Sequence, residues 1–175
     1  MRNRWNVRPS LGLMLAVSLF AAVALPAQER SGDKGETAEQ KKLRDRSTAP
    51  GAADMDAAAT FDALLSKKDR SAFSERKGAT VEGWVVQVER EEDGDVHLAL
   101  APEKGGADTK KWVIVEVPTA WQKKSASLSE SALRQLVGAK VRVTGWLYYE
   151  PDPDQPDPRG TRWELHPVTA VAPAK

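Results

Sequence analysis

Two stretches of the chain alternate apolar and polar residues with a period of two. Lys140–Tyr149 has the sequence Lys-Val-Arg-Val-Thr-Gly-Trp-Leu-Tyr-Tyr, and Thr80–Glu89 repeats the pattern with a second Gly-Trp pair. Successive side chains of a strand point to opposite faces, so this alternation predicts strands that bury one face. A glycine inside such a strand indicates a bulge or a tight bend. Two strongly bent strands predict a small closed barrel.

Three further stretches have the character of strands. Asp95–Ala101 and Lys111–Val117 each place Leu or Val residues on one face. Thr161–Val171 is the third, and Pro167 within it predicts an edge or a bulge, because proline cannot donate a hydrogen bond to a neighbouring strand. The chain therefore contains five predicted strands.

The segment between the third and fourth strands has a helical spacing of leucines. Leu128, Leu133 and Leu136 predict a short helix near Ser129–Val137, with Ser129 as its cap and a glycine as its stop. Three strands, a helix and two strands follow the order of the OB-fold. The sequence thus predicts a mainly β fold: an OB-fold-like five-stranded barrel over residues 79–172, with one short helix between strands 3 and 4.

Two segments of different composition precede the barrel. Residues 57–78 contain Phe61, Leu64 and Leu65 at helical spacing behind Thr60, which predicts a capped N-terminal helix or extension. Residues 28–56 have almost no large apolar side chain, and such a segment buries too little surface to offset its ordering entropy. They predict a disordered linker.

The first 27 residues have the pattern of a secretory signal peptide. Arginines at positions 2, 4 and 8 precede an apolar run from Leu11 to Leu25, and Ala22-Val23-Ala24 offers a cleavage site. The run is short of the ~20 residues that a membrane-spanning helix requires. We expect a periplasmic or extracellular protein with no stable membrane insertion after cleavage. The chain has no cysteine, which excludes disulfides and thiolate metal sites.

Several motifs resemble a known group of proteins. They are Asp-Val-His at 95–97, Trp-Val-Ile-Val-Glu-Val-Pro at 112–118, Lys-Val-Arg-Val-Thr-Gly-Trp-Leu at 140–147 and Trp-Glu-Leu-His-Pro-Val-Thr at 163–169. Together they resemble secreted bacterial OB-fold proteins of unassigned function. The resemblance covers the barrel, not the segments before it; it implies the fold and no activity.

The distribution of charge disfavours nucleic acid as a partner. Residues 1–27 hold three of the 26 basic residues and none of the 25 acidic ones, so their removal leaves a net charge of −2. OB-folds bind oligonucleotides and oligosaccharides with the strand 2–3 face and two adjacent loops. Here those loops, at 91–95 and 150–160, carry four acids each against one arginine. Phosphates would be repelled there, although acidic turns also serve solubility alone.

The two histidines of the mature chain each follow an acid by two residues. Asp95 and His97 share one strand face, as do Glu164 and His166. Histidine and carboxylate ligands suit zinc or another transition metal, so these four residues are a candidate metal site. They form one site only if the two pairs converge, and strands two and five are not neighbours in an OB barrel. Hydrogen-bonded surface pairs are the alternative.

Aromatic residues provide candidate ligand contacts. Trp146 and Tyr148 point away from the Val141/Val143/Leu147 face, and outward aromatics can stack on bases or sugar rings. Trp112 is a third candidate. The same side chains can instead pack beneath the N-terminal helix, and Trp84 and Trp163 are expected in the core.

The sequence predicts a non-catalytic binding module without a cofactor, engaging a protein, a glycan or a cation. Two alternatives stay open: an oligonucleotide-binding OB domain and a metal-dependent hydrolase. The hydrolase rests on Asp93-Gly94-Asp95, which is similar to the opening of the thermonuclease family. That family has threonine where Val96 stands, and its following arginine-rich segment has no counterpart here. Phosphoryl transfer would lack the charge stabilisation it needs.

Overall fold

The computed structural model describes residues 36–152 and 159–174, in which five strands form a closed barrel. The strands are β1 Gly78–Arg90, β2 Val96–Ala101, β3 Val113–Val117, β4 Lys140–Tyr149 and β5 Trp163–Pro173. They are hydrogen-bonded in the order β1-β2-β3-β5-β4. Neighbours pair antiparallel except β3 and β5, which are parallel. The predicted fold class is confirmed.

Alternation along each strand fills the barrel. Val113, Val115 and Val117 of β3 belong to the hydrophobic core, together with Leu98 of β2 and Leu165 of β5. Strand β4 begins and ends at the predicted residues. Trp163 is fully buried in the core as expected, whereas Trp84 is only partly buried and lies on the outer surface near Lys104. The expected core position of Trp84 is therefore wrong.

The predicted bend at Gly145 coincides with an irregularity between β4 and β5. The pairing register shifts on both sides of Gly145, opposite the segment that contains Pro167. A Cβ atom at Gly145 would lie 2.7 Å from the carbonyl oxygen of Pro167, which is closer than side chains approach backbone. The glycine therefore allows the two backbones to meet at the bulge.

The connection between β3 and β4 contains two short helices rather than one. Helix α3 spans Thr119–Gln122 and α4 spans Glu130–Arg134, where Ser129 accepts a hydrogen bond from the Ala132 amide as a cap. The backbone is extended at Ser125, which separates the two helices. Short 3₁₀ turns lie at Ala52–Asp54, Arg70–Ala72, Thr109–Lys111 and Ala126–Leu128.

The N-terminal part of the described chain is more ordered than its composition predicts. Helix α2, Phe61–Ser66, has the predicted Thr60 cap. Helix α1, Ala38–Arg44, lies inside the expected disordered linker, and Thr37 and Gln40 form a capping box at its start. Gln40 is buried and donates to the Tyr149 carbonyl, which fixes α1 on the barrel.

The structure thus differs from the expected linker over residues 36–56, because polar contacts rather than large apolar side chains hold this segment. The predicted signal peptide and residues 28–35 lie outside the described residues. Within the described ranges, no helix is long and apolar enough to cross a membrane.

Candidate functional site

Histidine and carboxylate side chains from three adjacent strands meet on the outer face of the barrel. In the antiparallel register of β2 and β3, His97 lies opposite Glu116. In the parallel pair of β3 and β5, Val115 aligns with Leu165. Because alternate residues face outward, Glu116 then lies between the two histidines. We call Asp95, His97, Glu116, Glu164 and His166 the histidine–carboxylate cluster.

One oxygen of Glu116 is the centre of this cluster. Its Oε2 atom lies 2.7 Å from Nε2 of His97 and 3.1 Å from Nδ1 of His166. Nδ1 of His166 also lies 3.5 Å from Oε1 of Glu164. The side chains of Glu164 and His166 are almost completely buried, and those of His97 and Glu116 are about one-tenth exposed. Asp95 is only partly buried, so the cluster is a largely buried polar site on the outside of the sheet, with its exposed side at Asp95.

Neighbouring groups fix the orientation of the cluster. Nδ1 of His97 lies 3.4 Å from a carboxylate oxygen of Glu91. Nη1 of Arg159 donates to Oε2 of Glu164 at 3.0 Å. Oδ1 of Asp95 accepts from the amide of Thr119 at 2.7 Å, so the start of α3 positions this carboxylate. Such outer contacts hold ligand-type side chains in fixed rotamers.

The electrostatics of the cluster favour opposite charges on its members. Burial alone would raise the pKa of Glu116, but the two histidines outweigh it and the pKa falls well below its usual range. Burial likewise would lower the pKa of His166, yet Glu116 and Glu164 raise it to about 10. The pKa of Asp95 is raised by burial, against the hydrogen bond from Thr119. Glu116 is therefore ionised and favours a positive charge beside it.

The donor set suits a divalent transition cation. One ligand atom each from Asp95, Glu116 and His166 lies within 4.8 Å of the others, and Nε2 of His97 contacts the same glutamate oxygen. Among the described residues, Oε1 of Glu164 is buried without a hydrogen-bond donor. Nδ1 of His166 faces two carboxylates but can carry only one proton. A shared cation would satisfy both oxygens at once.

All four residues of the candidate metal site belong to the cluster. Strands two and five are indeed not neighbours, but β3 lies between them and Glu116 joins the two acid–histidine pairs. Sequence reasoning missed Glu116 as a site residue, because the strand pattern of the β3 segment is defined by its valines. Val115 and Val117 are recognisable as core residues, so the alternation of a strand places Glu116 on the outer face, and this pattern could have identified it.

The three candidate aromatic residues are covered. Trp146 is 7% exposed and its Nε1 donates to the Thr48 carbonyl. Tyr148 is 2% exposed and its hydroxyl donates to Glu36. Trp112 donates to the Gly106 carbonyl and packs with Ile114 in a small outer cluster. Trp146 and Tyr148 thus contact the chain's own N-terminal segment, which was the alternative to ligand stacking, whereas among the described residues Trp112 does not.

The two acidic loops contribute unequally to the cluster. Glu91 and Asp95, from the loop between β1 and β2, lie beside the two histidines. In the same loop Asp93 accepts from the Asp95 amide, and Gly94 has a positive φ of 91° that a tight turn requires. The Asp-Gly-Asp motif therefore forms a turn. In the other loop, residues 153–158 lie outside the described ranges.

Comparisons with known proteins add the following. No family model matches the chain, and no curated protein matches it significantly. Among solved structures, an OBody bound to hen egg-white lysozyme is 14% identical, with 57% of this chain and 80% of that chain covered at a TM-score of 0.37. Asparaginyl-tRNA synthetase of Entamoeba histolytica is 18% identical, with 59% of this chain and 22% of that chain covered at a TM-score of 0.38.

Proposed function

We propose that this chain is an extracytoplasmic OB-fold module that binds a divalent transition cation of the zinc class at the histidine–carboxylate cluster. One observation carries the proposal: Oε2 of Glu116 lies within 3.1 Å of a nitrogen of each histidine. Ligand atoms bound to one tetrahedral zinc ion at ~2.0–2.2 Å lie about 3.3–3.6 Å from each other, so the ion would replace the present hydrogen bonds after the donor atoms move apart by less than an ångström. The donor atoms are therefore already close to a coordinating arrangement.

The ligand types favour zinc over calcium or magnesium. Calcium and magnesium prefer oxygen ligands, whereas His97 and His166 offer nitrogen. Nε2 of His97 and Nδ1 of His166 face the glutamate, so they are the ligand nitrogens. Glu116 supplies the central oxygen, and Asp95 and Glu164 supply the remaining carboxylates. Glu91 on Nδ1 of His97 orients the ring, as carboxylates do beside metal-bound histidines.

Burial supports binding without catalysis. Glu164 and His166 are almost completely buried, so the cluster leaves little room for a substrate beside the ion. Catalytic zinc sites, in contrast, keep an open coordination position. Export is the second part of the proposal and rests on the basic and apolar pattern of residues 1–27. The acidic surroundings continue to disfavour nucleic acid.

Isothermal titration calorimetry on the purified, chelator-treated protein tests this function. Zn²⁺ should bind with one-to-one stoichiometry and raise the melting temperature, because a ligand of the native state stabilises it. Ca²⁺ should bind much more weakly. His97→Ala and His166→Ala should each weaken zinc binding by at least tenfold, since each removes a nitrogen ligand.

The matched control is Glu82→Gln, which removes a carboxylate from the outer surface of β1, away from the cluster. This variant should bind zinc as the wild-type protein does. Millimolar or weaker zinc binding, or wild-type affinity in both folded histidine variants, would contradict the proposed function. Circular dichroism establishes that each variant is folded.

A further inference from the structure

A second surface of the barrel binds the backbone of an irregular segment. Nε1 of Trp121 donates to the carbonyl of Arg46 at 2.9 Å, and Nε1 of Trp146 donates to the carbonyl of Thr48 at 2.7 Å. Between them, Nζ of Lys124 donates to the carbonyl of Ser47. Three successive carbonyl groups thus accept hydrogen bonds from one side chain of β4 and two side chains of the connection between β3 and β4.

Two side chains of the bound segment also contact this surface. The guanidinium of Arg46 lies over the ring of Trp146, 4.1 Å from its centroid. Pro50 lies against Gly78, where an added Cβ atom would come within 2.5 Å of the proline ring. Gly78 and Trp146 are register partners on β1 and β4, so the arginine and proline contacts are adjacent. We call Trp121, Lys124, Trp146 and Gly78 the carbonyl-binding groove.

We propose that the carbonyl-binding groove is a docking site for an irregular polypeptide segment with the pattern Arg-x-x-x-Pro, which residues 46–50 occupy in this chain. The three hydrogen bonds to backbone carbonyls place no requirement on the side chains between the arginine and the proline. The stacked arginine and the proline at the glycine supply selectivity. Aromatic-lined grooves bind proline-containing segments of other proteins by the same division of roles.

The segment of this chain is a replaceable occupant. Residues 46–50 form neither helix nor strand. Among the described residues, Nη1 of Arg46 is buried without a hydrogen-bond acceptor, and burial lowers the pKa of this arginine. A buried donor without a partner weakens the complex that contains it. A partner segment that supplies an acceptor there would compete with residues 46–50.

Residues 46–50 are covalently linked to the barrel, so they compete with any peptide that is added in the experiment. A segment linked to its own site acts at an effective concentration of about millimolar, so it suppresses binding of a free peptide. Arg46→Ala in the full-length chain removes the stacked side chain and weakens this competition. The probe is a fluorescein-labelled peptide with the sequence of residues 44–52, and the readout is fluorescence anisotropy.

The Arg46→Ala protein should bind this peptide at least tenfold more tightly than the wild-type protein. A peptide in which the arginine and proline are replaced by alanine should lose at least tenfold in affinity. Trp146→Phe, combined with Arg46→Ala, replaces the indole by a smaller aromatic ring without the N–H donor to Thr48, and should abolish the gain. The control Arg142→Ala removes an exposed arginine from the outer surface of β4 and should leave binding unchanged.

Absence of peptide binding to the Arg46→Ala protein overturns the proposal, as does binding that the tryptophan change leaves intact. Preferential binding of a labelled single-stranded oligonucleotide or an oligosaccharide to the exposed groove overturns it too. If Trp146→Phe lowers the melting temperature by more than a few degrees, Lys124→Met takes its place, since it removes the donor to Ser47 together with the contact of the ammonium group with the Trp121 ring. All measurements contain chelator, so they are independent of the cation site.

Discussion

The two outer faces of the barrel use the same charged residue types in opposite ways. On β1 and β4, Glu82 pairs with Arg142 at 2.6 Å and with Lys140 at 3.2 Å, and all three side chains are at least one-third exposed. On β2, β3 and β5, Glu116 pairs with two histidines at similar distances but is nearly buried. The geometry of the ion pairs is alike, and the solvent around them differs.

This difference teaches where polar side chains matter in the fold. Water screens the Glu82 pairs, and exposed ion pairs contribute little to stability. Around Glu116 there is little water to replace a lost partner, so each member of the cluster depends on the others. Only the second face therefore holds buried ionisable groups that depend on each other, although the sequence marks both faces with alternating polar residues.

The largest expected effect comes from removing Glu116, with Glu82 on the exposed face as the matched comparison. Glu116→Ala should lower the free energy of unfolding of the chelated protein by about 3–5 kcal/mol, because it leaves buried partner groups without compensation. Glu82→Ala, on the exposed face, should leave the urea midpoint unchanged. Equal midpoints for the two variants at pH 6 would show that burial does not distinguish the faces.

The second prediction concerns pH and applies to the cluster alone. Glu116 and Glu164 raise the pKa of His166 to about 10, and the proton on Nδ1 must leave before this atom binds zinc, so affinity should rise with pH. Calorimetry with a zinc buffer should show roughly tenfold tighter binding per pH unit, or about a hundredfold from pH 6 to pH 8. Zinc affinity that stays constant over this range contradicts the assignment of His166.

The same proton affects the metal-free protein in the opposite sense. Because the folded state raises the pKa of His166 from 6.5, its contribution to stability is fully present below about pH 6.5 and is lost as the pH rises toward about 10. Denaturation of the chelated protein across this range measures the loss. His166→Ala should flatten the dependence.

The third prediction concerns the bulge next to the cluster. Gly145→Val should destabilise the protein by about 1–3 kcal/mol, since the new side chain meets the Pro167 backbone beside His166. Gly51→Val is the control: its Cβ would make an ordinary 3.5 Å contact, and we expect a change within about 0.5 kcal/mol. Equal urea midpoints for the two variants would exclude a close approach at Gly145.

The smallest expected effect is at the edge of the cluster, where Tyr148 donates to Glu36. Tyr148→Phe removes one hydrogen bond and should cost about 0.5–1.5 kcal/mol by urea denaturation. Glu36 keeps its contact with Arg44 at 3.4 Å, which limits the loss. If Tyr148→Phe lowers the free energy of unfolding as much as Glu116→Ala does, the contact with the N-terminal segment is as important for stability as the centre of the cluster.

Local patterns predicted the barrel well because each strand carries its own signal. The bounds of β4, the caps at Thr60 and Ser129 and the irregularity at Pro167 all follow from short-range rules. The convergence of the histidines was not predictable in this way. It depends on which strand lies between β2 and β5, and on the register that places Glu116 opposite His97.

The N-terminal segment was missed for a different physical reason. The composition of a segment indicates whether it can form its own hydrophobic core, and residues 36–56 have too few large apolar side chains to do so. They are held instead by hydrogen bonds to groups that the barrel presents, such as the indole nitrogens of Trp121 and Trp146. Those partners are distant in sequence, so the local pattern around residues 36–56 does not indicate which barrel residues they contact, and the reverse is also true.

The parallel pairing of β3 with β5 has a consequence for the rate at which the protein unfolds. This pair connects the first three strands to β5, which is the last strand of the described chain. His97 on β2, Glu116 on β3 and His166 on β5 are linked to each other across this junction through Glu116. We expect such a long-range contact to form late in folding, because the entropy of closing its loop is lost before the contact is made. Stabilising it then slows opening more than it speeds closure. An ion bound at this junction would therefore slow the separation of β3 from β5 and lengthen the lifetime of the native barrel.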